Sequence, residues 1–294
     1  MIVVERAPPY LTVQDAGRIG HRASGVPRSG AMDEWALASA NLTVGNPPDA
    51  AALEWAVGGG SLRFERDTTI ALTGADADAT MDDTPLPMNA SISVEAGQEL
   101  TIHRLTTRRF LYVAIRGGVD CPIVLGSRST YLPAELGGID GRRLMRGDTI
   151  PIGNVSASNR AGGATPTGRA PDYNSEVIRV IGVTESRLLE SFFAGDYTIS
   201  LASDRTGYRL EGDAALDSSN TSITSEPVCA GAIQLPPGGH PIVLMADSPT
   251  IGGYRILGTV ISSDLPILAQ SVPGRRLKFR SISVDAAQRL MRVQ

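Results

Sequence analysis

Short β-type runs, each closed by a glycine turn, constrain this chain more than any other feature. Residues 61–64 alternate as Ser-Leu-Arg-Phe, and residues 69–73 form an apolar run that stops at Gly74-Ala75-Asp76. Residues 91–94 alternate, 96–98 turn, 100–105 alternate again, and 110–115 form a continuous apolar strand ending at Arg116-Gly117-Gly118. A period of two puts side chains on alternate faces of a sheet, and a continuous apolar run suits a strand buried on both faces. Intervals this short leave no room for the helix of a parallel crossover. The expected fold is mainly β with a few short helices, arranged as barrels or sandwiches.

Few helices are predicted. Asp33 suits an N-cap, with Trp35, Ala38, Ser39 and Leu42 at helical spacing and Gly45 just past the end. Asn46-Pro47-Pro48-Asp49 reads as a second helix start, with its turns over 50–54. Thr184 caps a short helix over 185–193, and residues 284–291 close the chain as an amphipathic helix. Residues 154–175 carry almost no large apolar side chain and read as a linker or exposed loop. They separate an N-terminal module, 1–153, from a C-terminal module, 176–294.

Composition removes several functions. The net charge of −4 provides no basic footprint for nucleic acid. Lys278, in Arg-Leu-Lys-Phe-Arg, is the only lysine, so there is no glycine-lysine phosphate loop. His21, His103 and His240 are isolated, so no metal site is expected. Cys121 and Cys229 form no pair motif, which points to a reducing compartment. The start of the chain lacks the pattern of a secretory signal, and no apolar run reaches membrane-spanning length. The expectation is a cytoplasmic protein without a membrane partner.

Residues 230–258 concentrate the special backbone chemistry. Glycines and prolines bracket one apolar run, 242–246, while Gln234, Asp247, Thr250 and Tyr254 sit where strands should end and can face a cavity. Asp247 and Thr250 read equally as turn residues. Upstream, Asp204 and Arg205 leave the end of a strand, with Tyr208 close behind. An arginine fork can hold a carboxylate or phosphate, or the two can lock the turn as a salt bridge. Ser29-Gly30-Ala31-Met32-Asp33 can seat an anion at a helix N-terminus or simply cap the helix. Ser127, Arg128 and Ser129 read as a solvated loop.

GVPRSGAMD, ANLTVGNPPDAAALE, LTGAD, GSRSTYL, SDRTGYRLEG and GAIQLPPGGHPIVLMADSPTIGGY, taken in order, resemble the KipA family over nearly the whole chain. That family includes the C-type subunit of 5-oxoprolinase, proteins called allophanate hydrolase subunit 2, and one half of the urea carboxylase carboxyltransferase domain. The resemblance implies two cyclophilin-like β-barrel modules. It implies a hetero-oligomer with a KipI-like protein (the B-type subunit of 5-oxoprolinase), with a LamB/YcsF-type protein as a further candidate subunit. It also implies a hydrolase subunit acting in ATP-dependent opening of 5-oxoproline, with ATP on the partner or at a shared site. In that reading Arg205 neutralises developing charge, and Asp204 or Asp33 acts as base or orienter. Ser29, Tyr208, Gln234, Asp247, Thr250 and Tyr254 then contact substrate. Lys278 lies outside any biotin-carrier motif, so this chain carries no covalent biotin, and no lysine completes an amidase Ser-Ser-Lys set. The alternatives are a non-catalytic regulator that occupies KipI and a carboxyltransferase-type subunit acting on urea.

Overall fold

The computed structural model describes residues 1–155, 166, 170–183, 187–212, 215–218 and 222–292. The chain divides into two compact units: Met1–Arg18 with Ser29–Pro166, and Ile19–Arg28 with Thr167–Gln294. A ten-residue excursion, 19–28, thus groups with the second unit although its neighbours in sequence belong to the first.

The first unit holds β1 (Ile2–Arg6), β2 (Tyr10–Gln14), α1 (Glu34–Thr43), β3 (Ala52–Ala56), β4 (Gly60–Phe64), β5 (Thr68–Gly74), β6 (Ala77–Met81), β7 (Thr84–Pro85), β8 (Ser91–Val94), β9 (Glu99–Leu105), β10 (Phe110–Ile115) and β11 (Thr149–Ile150). One sheet runs β11-β1-β4-β9-β6-β7 and the other β2-β3-β10-β5-β8. Both sheets feed one core that includes Ile2, Leu11, Trp55, Phe64, Leu72 and Val113. All the pairings in this unit are antiparallel, as short connections require. Asp82 and Asp83 both take positive φ, 45° and 64°, which makes the tight turn between β6 and β7.

Asp33 caps α1 as its position suggested: its side chain accepts the Ala36 N–H at 3.0 Å. The second predicted helix is absent. Its intended cap, Asn46, donates to the Ile115 carbonyl at 2.7 Å and accepts the Gly117 N–H at 2.8 Å. The residues expected to follow it enter β3, which is buried along its whole length between β2 and β10. Two ladders outweigh one or two isolated helical turns, whose nucleation is unfavourable.

The second unit holds β12 (Val177–Gly182), α2 (Arg187–Ala194), β13 (Asp196–Ile199), β14 (Gly207–Gly212), β15 (Ser222–Pro227), β16 (Ala232–Leu235), β17 (Ile242–Leu244), β18 (Ile251–Val260), α3 (Leu265–Ala269), β19 (Arg276–Ser281) and α4 (Val284–Arg292). Its sheet runs β12-β19-β13-β14-β17-β16-β18-β15, and β12 also pairs with β18. That extra pairing closes the ladder into a barrel and leaves β15 outside the ring, held by β18 alone. Closure removes the strand edges that an open sheet exposes. Phe192, Tyr197 and Phe279 stack in the core with ring centroids 4.9–5.7 Å apart. The mainly β architecture with short helices is therefore what the strand spacing implied. The predicted N-cap Thr184 and most of the 154–175 linker lie outside the described residues.

Candidate functional site

Two polar clusters stand out, one in each unit. In the first unit, backbone turns aim carboxylates into the protein. Ser29 and Gly30 take φ of 55° and 89°, so the chain bends sharply into α1. Gly30 tolerates this because any Cβ would press on the backbone of residues 15–17. The turn delivers the Met32 N–H to Glu54 Oε2 at 2.8 Å and the Asp33 N–H to the Tyr112 hydroxyl oxygen at 2.8 Å. The Tyr112 hydroxyl in turn donates to Glu54 Oε2 at 2.7 Å. Glu54, Asp33 and Tyr112 are each fully enclosed. Burial, then the charges of Glu54 and Asp33, push the Tyr112 hydroxyl well above the ordinary tyrosine value.

This changes the reading of the Ser29–Asp33 turn. The anion expected at the helix N-terminus is the chain's own Glu54 carboxylate. The Asp33 carboxylate is the helix cap and has no solvent access, so it is not placed to act as a base. Ser29 Oγ donates to the Thr130 carbonyl at 3.2 Å. Ser127 and Ser129, expected in a solvated loop, are buried: Ser127 Oγ donates to Asp15 Oδ1 at 2.6 Å, and Ser129 Oγ donates to the same oxygen. The Arg128 N–H donates to Asp15 Oδ2 at 2.6 Å. One carboxylate from the end of β2 gathers the loop, a pairing of residues more than a hundred positions apart that spacing does not reveal.

In the second unit, the Asp204–Arg205 turn begins β14 and meets the segment after β17. Arg205 does not pair with Asp204. Its Nε and Nη2 donate to the two oxygens of Asp247 at 2.8 and 2.9 Å, and the Asp247 N–H donates to the Arg205 carbonyl at 2.9 Å. The pair is buried, with side chains 7% and 4% exposed. Asp204 faces solvent and closes its own turn: Oδ1 accepts the N–H groups of Thr206 and Gly207 at 2.8 and 3.2 Å. Its Oδ2 carries no hydrogen bond among the described residues. Tyr208 is wholly enclosed, and its hydroxyl donates to the Ala269 carbonyl at 2.7 Å, which ties β14 to α3.

From Asp247 the chain runs through Ser248 and Thr250 to Gly252. The Thr250 carbonyl accepts the Val228 N–H at 3.1 Å. Gly252 leaves space for the Gln234 side chain, whose Nε2 would overlap any Cβ there. Gln234 is 5% exposed, and its Nε2 has no hydrogen-bond partner among the described residues; the same holds for the fully buried Ser248 Oγ. Buried polar groups in folded proteins are nearly always paired, so such groups mark a place where a ligand can complete the bonding. Tyr254 sits across from Ser222 on β18 and is 40% exposed. Arg22 was not anticipated: it donates to the carbonyls of Val228 and Pro249 and so holds both flanks of this segment.

Other reactive groups have structural explanations. Lys278 forms an exposed pair with Asp196 at 3.2 Å on neighbouring strands. Burial pushes the Cys121 thiol up to about 11, which keeps it protonated at neutral pH. Among the described residues no His, Cys, Asp and Glu side chains cluster as metal ligands, and no helix is long and apolar enough to cross a membrane.

Comparison with known proteins places this geometry. Residues 24–281 match the model of the carboxyltransferase domain, subdomain A and B. The C-type subunit of 5-oxoprolinase from Escherichia coli K12 is 36% identical, over 98% of this chain and 93% of that protein. The urea amidolyase of Lachancea kluyveri is 32% identical over 97% of this chain, which spans only 17% of that protein. The crystal structure of Kluyveromyces lactis urea carboxylase superposes with a TM-score of 0.86 at 28% identity, covering 98% of this chain and 28% of that one. On the strength of that match across most of its length, this chain belongs to the carboxyltransferase domain, subdomain A and B family.

Proposed function

We propose that this chain is the C-type subunit of a 5-oxoprolinase-like, ATP-dependent amide hydrolase, active in the cytoplasm with a KipI-like B-type subunit and a LamB/YcsF-type subunit. The observation that carries this reading is coverage. The chain accounts for nearly all of a free-standing C-type subunit of 5-oxoprolinase but for a small fraction of the urea enzymes.

The chain's own residues supply binding and positioning in this proposal. The Gln234 carboxamide, whose Nε2 has no partner among the described residues and sits over Gly252, meets the complementary amide of a lactam. The Arg205–Asp247 fork holds the segment that runs from Asp247 to this seat. Asp204 Oδ2, exposed and without a partner among the described residues, is the carboxylate oxygen proposed to accept or orient a proton. Tyr208 and Asp33 support the scaffold. The chain's one lysine is exposed and paired, and the Met32 N–H ahead of α1 is taken by Glu54. In this proposal ATP binds on the partner subunit or at a site shared with it.

The test is reconstitution. The purified chain, with its B-type and LamB/YcsF-type partners, should release glutamate only when both ATP and 5-oxoproline are present. Replacing Gln234 by Ala should reduce turnover by roughly 10²–10³-fold while the fold persists. A complex that assembles but turns over neither 5-oxoproline nor urea would instead support the regulator. Turnover of urea with a carboxybiotin donor would support the carboxyltransferase alternative.

A further inference from the structure

Arg22 lies in the 19–28 excursion, which groups with the second unit. It opens a single 3₁₀ turn, Arg22–Ser24. The Ser24 N–H donates to the His21 carbonyl and the Gly25 N–H to the Arg22 carbonyl, each at 3.0 Å, and Gly25 takes φ of 79° to close the turn. The side chain therefore leaves from a fixed backbone. One nitrogen, Nη2, donates to two carbonyls far along the chain, those of Val228 and Pro249.

Both carbonyls stand at the open end of the β15–β18 pair. Pro227 faces Ile251 in the last register pair, and the Val228 N–H adds one bond to the Thr250 carbonyl at 3.1 Å. Little else holds this end among the described residues. Pro227 has no N–H to give the ladder, a bulge between Ser222 and Glu226 interrupts the rest of it, and β15 pairs with β18 alone. Two carbonyl oxygens converging on one nitrogen carry like partial charge, so they approach only with a donor between them, and a charged donor makes the stronger bonds. The clasp bears on the Gln234 seat through Val228. A Cβ at Gly252 would overlap Gln234 Nε2 and press on Val228 Cγ1 at 3.2 Å, so the amide and the valine flank the same glycine. Gln234 Nε2 has no hydrogen bond among the described residues to fix it, so packing sets its direction.

We propose that Arg22 is a positioning residue: by clasping Val228 and Pro249 it holds the wall that aims the Gln234 amide at the lactam. This rests on the reading of Gln234 as a substrate contact, and the test separates the two. Amide exchange of the full chain, followed by NMR, should quicken about tenfold or more at Val228 in Arg22→Ala and stay as in wild type at Val113 of the first unit. In the reconstituted complex, Arg22→Ala should lower kcat/KM for 5-oxoproline about tenfold. Arg22→Lys should recover most of it, since one ammonium can serve both carbonyls. In a Gln234→Ala background, Arg22→Ala should have almost no further effect, because it acts through the missing amide, whereas a merely structural loss would add in full. Unchanged exchange at Val228, or full additivity, overturns the proposal. Exchange quickened at Val113 as well marks a general loss of fold and also overturns it. So does an Arg22→Ala complex as active as wild type beside a defective Gln234→Ala. An inactive wild-type complex, or a silent Gln234→Ala, removes the lactam contact itself, and this role for Arg22 falls with it.

Discussion

The two polar clusters differ in whether their hydrogen bonds close. In the first unit, Glu54, Tyr112 and the backbone of residues 32–33 satisfy one another inside an enclosed core. In the second unit, Arg205 and Asp247 satisfy one another, but Gln234 and Ser248 beside that segment present polar atoms with nothing to bind among the described residues. A closed network fixes structure. An incomplete one, next to a rigid ion pair, is equipped to take a ligand. The contrast assigns the first cluster to folding and the second to function, and it can be attacked at each point.

The largest effect should come from breaking the rigid pair. Asp247→Ala leaves the buried Arg205 guanidinium without its fork and should cost about 3–5 kcal/mol, read as a lowered denaturation midpoint at unchanged slope. If the loss is no greater than for an exposed pair such as Lys278–Asp196, the pair does not anchor the second cluster.

Next comes Tyr112→Phe, which deprives the enclosed Asp33 N–H of its acceptor and should cost about 1–3 kcal/mol at neutral pH. The same variant has a signature in alkali. The folded Tyr112 hydroxyl titrates well above its ordinary value of 10.0, so the unfolded chain gives up that proton first. Its contribution to stability is complete below about pH 10 and declines as pH rises beyond it. Unfolding curves measured on either side of that pH should therefore converge for wild type and Tyr112→Phe, and a gap that stays constant would contradict the closed network.

A smaller stability change, about 1 kcal/mol or less, is expected for Gly252→Ala, because the displaced group is the mobile end of Gln234. Its effect should appear instead in the reconstituted complex, as a raised KM for the lactam. An unchanged KM with Gln234 pushed aside would remove the amide from substrate binding. The smallest expected effect is chemical: an alkylating reagent should modify exposed Cys229 in the folded protein and reach buried Cys121 only on unfolding.

Much of the fold is legible in the residues. Alternating runs closed by glycine become β4, β8 and β9, the apolar run at 110–115 becomes the enclosed β10, and Asp33 caps α1. These features depend on neighbours within one turn or one strand. The misread stretch at 50–54 shows the limit. Its caps and apolar residues suit a helix locally, and only the presence of β2 and β10 on either side makes it a strand. Its buried Glu54 was a visible oddity, an acid inside an apolar run, and is the one signal that could have exposed the cluster in advance.

The candidate site was legible as a list of residues but not as bonds. Gly252, Gln234, Asp247 and Arg205 could be picked out because unusual backbone and polar strand ends gather there. That Arg205 pairs with Asp247 rather than Asp204 follows from β14 lying against β17, a long-range pairing that brings residues 42 positions apart into register. The composition and strand spacing by themselves determined a mainly β protein whose sequence holds no glycine-lysine phosphate loop. Only the tertiary structure decided which carboxylate is a cap, which is half of an ion pair and which stays free, because a carboxylate's role is set by the donors the fold brings to it, and those donors come from distant strands.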